Sequence, residues 1–204
     1  MRSSSWLVGL LFAASSLPAA AGTPSYDYLQ IDYVGVNRHD KTFDYNGADV
    51  QFSAQIAPHL IFDAGYQWLE SGRFTQGFHT GRVEQQTVAA GLEFRYPLVY
   101  NQLDGFIGAD FVYSETKGRQ DLKGFYDDQS SNGFQVKGGL RIDMNYVELA
   151  PTARYLHLYD NNEAGIGLQF LGCPGYGICL VGGSEYLTDS KDVRYFGGLR
   201  FNYN

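Results

Sequence analysis

The residues with the most potential for chemistry are ionisable side chains that alternate with apolar ones along short segments. In segment 47–56, for example, Asp49 lies between Ala48 and Val50. An isolated charge is costly to bury, so charges that line a closed interior must pair or stay hydrated. The pattern therefore predicts a mixed-charge network inside the molecule, and a narrow polar pore is the alternative. Seven acidic and six basic residues share this placement: Asp32, Asp49, Asp63, Glu93, Asp110, Glu148 and Glu185, with Arg95, Lys137, Arg141, Arg154, Arg194 and Arg200.

The two cysteines, Cys173 and Cys179, flank a Pro-Gly turn. An even number of cysteines in an exported chain favours a disulfide, and we expect it to staple this turn. The spacing differs from the C-x-x-C of redox pairs, and two cysteines are too few for a structural zinc site. The four histidines are scattered and no His-x-Ser pattern is visible. We expect no catalytic, cofactor-binding or metal-binding residues, and a lipid A-modifying barrel enzyme is a further alternative.

The elements that must position these side chains are β-strands, because alternation with a period of two is typical of strands. The sequence predicts an all-β, closed antiparallel up-and-down transmembrane barrel of ten strands, an even number as in single-chain bacterial barrels. An eight-stranded barrel, with 164–190 as one long outer loop, is the alternative. The longest predicted loops are 71–82 and 116–132, and 97–104 is predicted to be a turn. The predicted strands are 26–36, 47–56, 60–69, 83–96, 105–115, 133–142, 146–159, 164–171, 177–187 and 192–204.

The N-terminal segment has the features of a secretory signal peptide. Arg2 precedes an apolar run over 6–14, and three alanines end at Ala21, where we expect cleavage. The barrel domain is then 22–204. Without Arg2, the 15 basic residues become 14 against 22 acidic ones, and no basic cluster appears, which argues against nucleic acid as a partner.

The last predicted strand must pair with the first if the barrel is to close. On one face it carries the apolar residues Tyr195, Leu199, Phe201 and Tyr203, which we expect to face lipid and to support assembly. Alternation alone does not show which face is inside. A soluble lipocalin-like carrier, with the apolar face turned inward around a ligand, is therefore an alternative, although it leaves the aromatic strand ends unexplained.

The signal peptide, short alternating strands, glycine-containing strand endings with Tyr or Phe, and aromatic C-terminal strand resemble the small outer-membrane β-barrel family of proteobacteria. That class includes OmpA-like membrane domains, and the ten segments are most similar to small barrels once described as quorum-sensing-regulated activators of plant immunity. The resemblance implies a monomer in the outer membrane of a Gram-negative bacterium. Its implied partners are outer-membrane lipid, lipopolysaccharide, periplasmic chaperones and the barrel-assembly machinery. Its implied role is structural or surface interaction, without enzymatic activity or a cofactor.

Overall fold

The computed structural model describes residues 26–39, 44–76, 79–100, 102–120, 128–144, 146–174 and 177–203. The predicted signal peptide lies outside them and stays a prediction. In this part of the chain there is no helix long and apolar enough to cross a membrane. The strands are β1 (Tyr28–Asn37), β2 (Tyr45–Ala57), β3 (Leu60–Ser71), β4 (Phe74–Gln76), β5 (His79–Val99), β6 (Leu103–Gln120), β7 (Gln129–Asp143), β8 (Val147–Leu158), β9 (Asn161–Gly172), β10 (Ile178–Leu187) and β11 (Val193–Asn202).

The strands form a single antiparallel sheet that closes on itself. Each strand pairs with its neighbours in the chain, and β1 pairs with β11 from Tyr28 opposite Asn202 to Asn37 opposite Val193. The short β4 continues the line of β3 along β5, so the two count as one barrel strand. The result is the predicted ten-stranded up-and-down barrel. The eight-stranded alternative is wrong, because β9 and β10 pair along most of their length.

The strands are longer than the sequence pattern indicated. The predicted loop 71–82 is mostly a hairpin, in which Thr75 pairs with Thr80. The predicted loop 116–132 is shorter too, since β6 and β7 extend into it from both sides. Pro97 was expected in a turn but lies in β5 opposite Asp104, beside an irregularity in the register. These errors share a cause: backbone pairing continues beyond the lipid edge, where the side chains no longer need to alternate between apolar and polar.

Apolar side chains point outward and polar ones inward. On β2, Val50, Phe52 and Ile56 are 37%, 41% and 57% exposed, whereas Asp49 and Ser53 are 6% and 2% exposed. This arrangement is the inverse of a lipocalin-like carrier and suits a barrel surrounded by lipid.

The two rims of the barrel differ in their connections. The rim that carries both ends of the described chain has short turns, among them Pro58–His59, where His59 adopts a left-handed φ of 70°. We call it the terminal rim, and the opposite one the loop rim. Outer-membrane barrels place their short turns in the periplasm, so the loop rim corresponds to the cell surface.

Candidate functional site

The interior near the terminal rim is filled by stacked arginine and tyrosine side chains. The guanidinium of Arg141 lies 4.3 Å from the ring centre of Tyr26, and that of Arg95 lies 4.5 Å from the same ring. The guanidinium of Arg200 lies 3.9 Å from the ring centre of Tyr28. Cation–π contacts are strongest where water is excluded, and both tyrosines are buried. We call these five residues the arginine–tyrosine layer.

Hydrogen bonds fix the arginine–tyrosine layer to the barrel wall. The Tyr26 hydroxyl donates to Oδ2 of Asp104 at 2.8 Å, and Nε of Arg95 lies 3.7 Å from the same oxygen. Burial raises the pKa of Tyr26, which precedes the first strand, so its hydroxyl stays protonated and remains a donor. Nε of Arg200 donates to Gln30 at 2.8 Å. Nε of Arg95 and Nη1 of Arg141, in contrast, have no acceptor among the described residues. The layer therefore combines stacking with the hydrogen bonds of Tyr26 and Arg200.

A second group of charges lies at mid-height. Nη2 of Arg194 donates to Oδ2 of Asp49 at 2.7 Å, and Nη1 of Arg194 lies 3.7 Å from Oε2 of Glu185. Arg154 donates to the other oxygen of Glu185 and also, at 3.2 Å, to Gln135. Two guanidinium groups thus share two carboxylates, so charge is balanced within the group.

A third group surrounds the single lysine of the network. Nζ of Lys137 lies 2.6 Å from Oδ1 of Asp63 and 3.3 Å from Oδ2 of Asp110. These residues come from three different strands and meet because glycines lie between them. A Cβ at Gly91 would lie 2.3 Å from Oδ1 of Asp110, and one at Gly108 would lie 3.1 Å from Cε of Lys137. The glycines leave the space that these side chains occupy.

Above the arginine–tyrosine layer is a cavity of about 760 Å³, which we call the well. Tyr28, Phe106 and Arg141 form its floor, and Tyr159 and Asn161 lie at its upper edge near the loop rim. The wall combines amides and hydroxyls with a few apolar side chains, namely Gln51, Gln67, Gln85, Thr87, Val112 and Leu156. The residues that line the well thus run from the arginine–tyrosine layer to the loop rim.

All thirteen ionisable residues singled out in the sequence point into the interior. Asp32, Asp49, Glu93, Asp110, Arg141, Glu148, Glu185 and Arg200 are buried, and Asp63, Arg95, Lys137, Arg154 and Arg194 are half-buried. Sequence reasoning missed Tyr26, Tyr28 and Asp104. The two tyrosines share the parity of Gln30 and could have been found from it, whereas Asp104 was assigned to a turn.

The cysteines are joined in a disulfide at the terminal rim, with Cα atoms 4.2 Å apart. Cys179 is buried against Leu171 and Val181 inside the barrel. The backbone N–H of Asn202 donates to the carbonyl of Gly177 in the same turn at 2.7 Å. The disulfide therefore stabilises the turn to which the end of the closing strand is hydrogen-bonded. In the described segments, no three His, Cys, Asp or Glu side chains converge as metal ligands would.

The closing strand presents its apolar residues to the lipid side. Tyr195, Leu199 and Phe201 are exposed on the outer face of β11. Just beyond the strand, the ring of Tyr203 stacks on Phe52 at 6.1 Å, and its hydroxyl donates to the carbonyl of Ser53 at 2.5 Å. These contacts tie the C-terminal end of the barrel to β2 across β1.

The same architecture is found in known outer-membrane proteins. The KdgM porin, solved in complex with disordered oligogalacturonate, has 9% sequence identity and a TM-score of 0.50, covering 86% of this chain and 99% of its own. The NanC porin has 11% identity and a TM-score of 0.49, covering 84% of this chain and 98% of its own. OprG from Pseudomonas aeruginosa has 11% identity and a TM-score of 0.46, covering 88% of this chain and 97% of its own. At 9% identity, the similarity to KdgM shows a shared fold alone. No curated protein matches the chain in sequence.

The family model of the outer membrane protein beta-barrel domain matches residues 6–170, most of the chain. This match confirms the expected class of small outer-membrane barrels, to which OmpA-like membrane domains belong. The chain therefore belongs to the family of outer membrane protein β-barrel domains and lies in the outer membrane of a Gram-negative bacterium.

Proposed function

We propose that this protein is a closed, non-enzymatic barrel that acts at the cell surface and does not conduct solutes between the two sides of the membrane. The observation that carries the proposal is the arginine–tyrosine layer. It fills the interior at the terminal rim with stacked side chains, of which four are buried, and Tyr26 and Arg200 are hydrogen-bonded. A channel would need a hydrated path at this level. The free surfaces are then the loop rim, the well that opens there, and the outer wall that contacts lipid and lipopolysaccharide.

The proposal is tested by solute permeation into proteoliposomes. Wild-type protein is reconstituted and transferred to an isotonic arabinose solution, and swelling is followed by light scattering. We expect a rate equal to that of empty liposomes. The Tyr26→Ala/Arg141→Ala double variant removes the centre of the layer and should swell faster, which shows that the assay detects an opened barrel. Rapid swelling of the wild-type proteoliposomes would contradict the proposal.

A narrow polar pore is the second candidate, and the size and polar lining of the well favour it. If the protein is a pore, the arginine–tyrosine layer opens in the membrane. Proteoliposomes that contain the wild-type protein then swell as fast as those that contain the double variant. Lipid A modification is tested separately. Unchanged lipid A in cells that overexpress the protein supports the non-enzymatic role, whereas a new lipid A species would contradict it.

A further inference from the structure

The interior carries more negative charge than positive charge. Among the described residues, Asp104 joins the thirteen already placed there, which gives eight carboxylates against six cationic side chains. Arg38 and Asp192 also line the well and pair with each other at 3.6 Å, so they leave the surplus at two. In a water-poor interior, charges of one sign that lack partners are costly. The location of the two surplus carboxylates is therefore informative.

The two surplus carboxylates belong to one of the three groups of interior charges. At the terminal rim the numbers are equal, three to three, since Arg95 faces Asp104 and the other two arginines interact with Glu148 and Asp32. At mid-height they are also equal, two to two, as described above. The remaining group has a single cation of its own, Lys137, which interacts electrostatically with three carboxylates, Asp63, Asp110 and Glu93. Glu93 also interacts with Arg141, whose larger interaction is with Glu148.

Glu93 is the carboxylate of this group that Lys137 does not bind directly. It is 5% exposed, and no donor among the described residues reaches its buried Oε1. Oδ2 of Asp63 and Oδ1 of Asp110 lack donors in the same way, although the other oxygen of each binds Lys137. Three buried acceptor oxygens with no donor thus lie around a site with a deficit of positive charge.

The well gives access to this group from the loop rim. Asp63, Glu93 and Asp110 all line it, and the strands between and above them contribute the small residues Gly65 and Ala89. The volume of the well is in the range of ordinary small-molecule sites. A solute can therefore reach the carboxylates from the cell surface without crossing the arginine–tyrosine layer.

The chemistry of the group favours an organic ammonium over a bare metal ion. The carboxylates do not converge on one point as metal ligands would. They do hold an ammonium, that of Lys137, through separate contacts of 2.6 and 3.3 Å. Higher in the well, the apolar Val112 and Leu156 among the glutamines suit methylene groups. We propose that Asp63, Glu93 and Asp110 bind the ammonium end of a linear aliphatic amine that enters the well from the loop rim.

The test is calorimetric titration of the refolded, detergent-solubilised barrel with cadaverine, a linear diamine that is charged at neutral pH. The wild-type protein should bind it, and 1-pentanol, which has the same chain length without the ammonium, should not bind. Mg²⁺ at equal concentration should not compete. Glu93→Gln should weaken binding by about tenfold, since it replaces a charge-assisted contact by a neutral one. Glu115→Gln, a half-buried position paired with Lys117 outside the well, should leave binding unchanged.

Equal affinity of wild-type and Glu93→Gln protein would overturn the proposal, as would equal binding of cadaverine and 1-pentanol. Heat-modifiable gel mobility checks that each variant is folded. If Glu93→Gln does not fold, the wild-type titration decides alone: no heat with cadaverine contradicts the site, and displacement by Mg²⁺ assigns it to metal ions instead. None of these outcomes depends on whether the barrel conducts, so the proposal can fail while the proposed function stands.

Discussion

Tyr26 is the residue whose removal should most affect the closed end of the barrel. It precedes β1, so its substitution removes side-chain contacts without altering the backbone ladder. Two guanidinium groups lie within 4.5 Å of its ring centre, its hydroxyl donates to a buried carboxylate, and it is 2% exposed. Tyr26→Phe keeps the ring and loses one hydrogen bond to a charged group, which is worth about 1.5–3 kcal/mol. Tyr26→Ala also loses the packing and the stacking, so we expect a loss of about 3–5 kcal/mol.

The assay is urea unfolding of each refolded variant in detergent, followed by tryptophan fluorescence and by heat-modifiable gel mobility. Tyr33 provides the matched control. Its hydroxyl also donates a hydrogen bond to a side chain, to Oδ1 of Asn46 at 2.8 Å, but Tyr33 is 57% exposed on the outer face. Tyr33→Phe should therefore change the free energy of unfolding by less than about 0.5 kcal/mol. The reasoning is refuted if Tyr26→Ala costs no more than Tyr33→Ala, because the layer would then contribute nothing that an exposed tyrosine lacks.

Three further predictions follow from other parts of the barrel. Reducing the disulfide of the β9–β10 turn should lower the free energy of unfolding by about 2 kcal/mol, the chain-entropy value for so short a loop, as measured by urea unfolding with and without dithiothreitol. Gly91→Ala should destabilise the barrel by about 1–3 kcal/mol because the added Cβ would meet a backbone carbonyl at 2.1 Å, whereas Gly65→Ala, with its closest contact at 3.7 Å, should be nearly neutral in the same assay. Phe201→Ser should reduce the amount of heat-modifiable protein in outer-membrane fractions, whereas Tyr100→Ser, in an exposed turn, should not; equal losses would count against the role of the closing strand.

The number of strands and the direction of each face could be predicted from the sequence. Period-two alternation reports directly which side chains share a face: on β2, Asp49 points inward, whereas Val50, the next residue, points outward. Closure could be predicted as well, because an unpaired edge cannot exist in lipid and the first and last strands must meet. The ends of the strands could not be predicted from the sequence. Beyond the edge of the lipid the strands still pair, but their side chains no longer alternate between apolar and polar.

The partners inside the barrel could not be predicted from the sequence. Lys137 meets Asp63 from three barrel strands away in the chain order, and only the glycines between them make the contact possible. The arginine–tyrosine layer was missed for a different reason. Tyr26 and Tyr28 share the inward parity of Gln30, but parity only places a side chain on a face and does not show which residues it stacks against.

The most direct test of a closed barrel is single-channel recording in a planar lipid bilayer. We expect that the wild-type protein gives no steady conductance steps and that Tyr26→Ala, which opens the arginine–tyrosine layer, produces them. Steady open channels in the wild-type protein, unchanged in Tyr26→Ala, would contradict the claim that this layer closes the barrel.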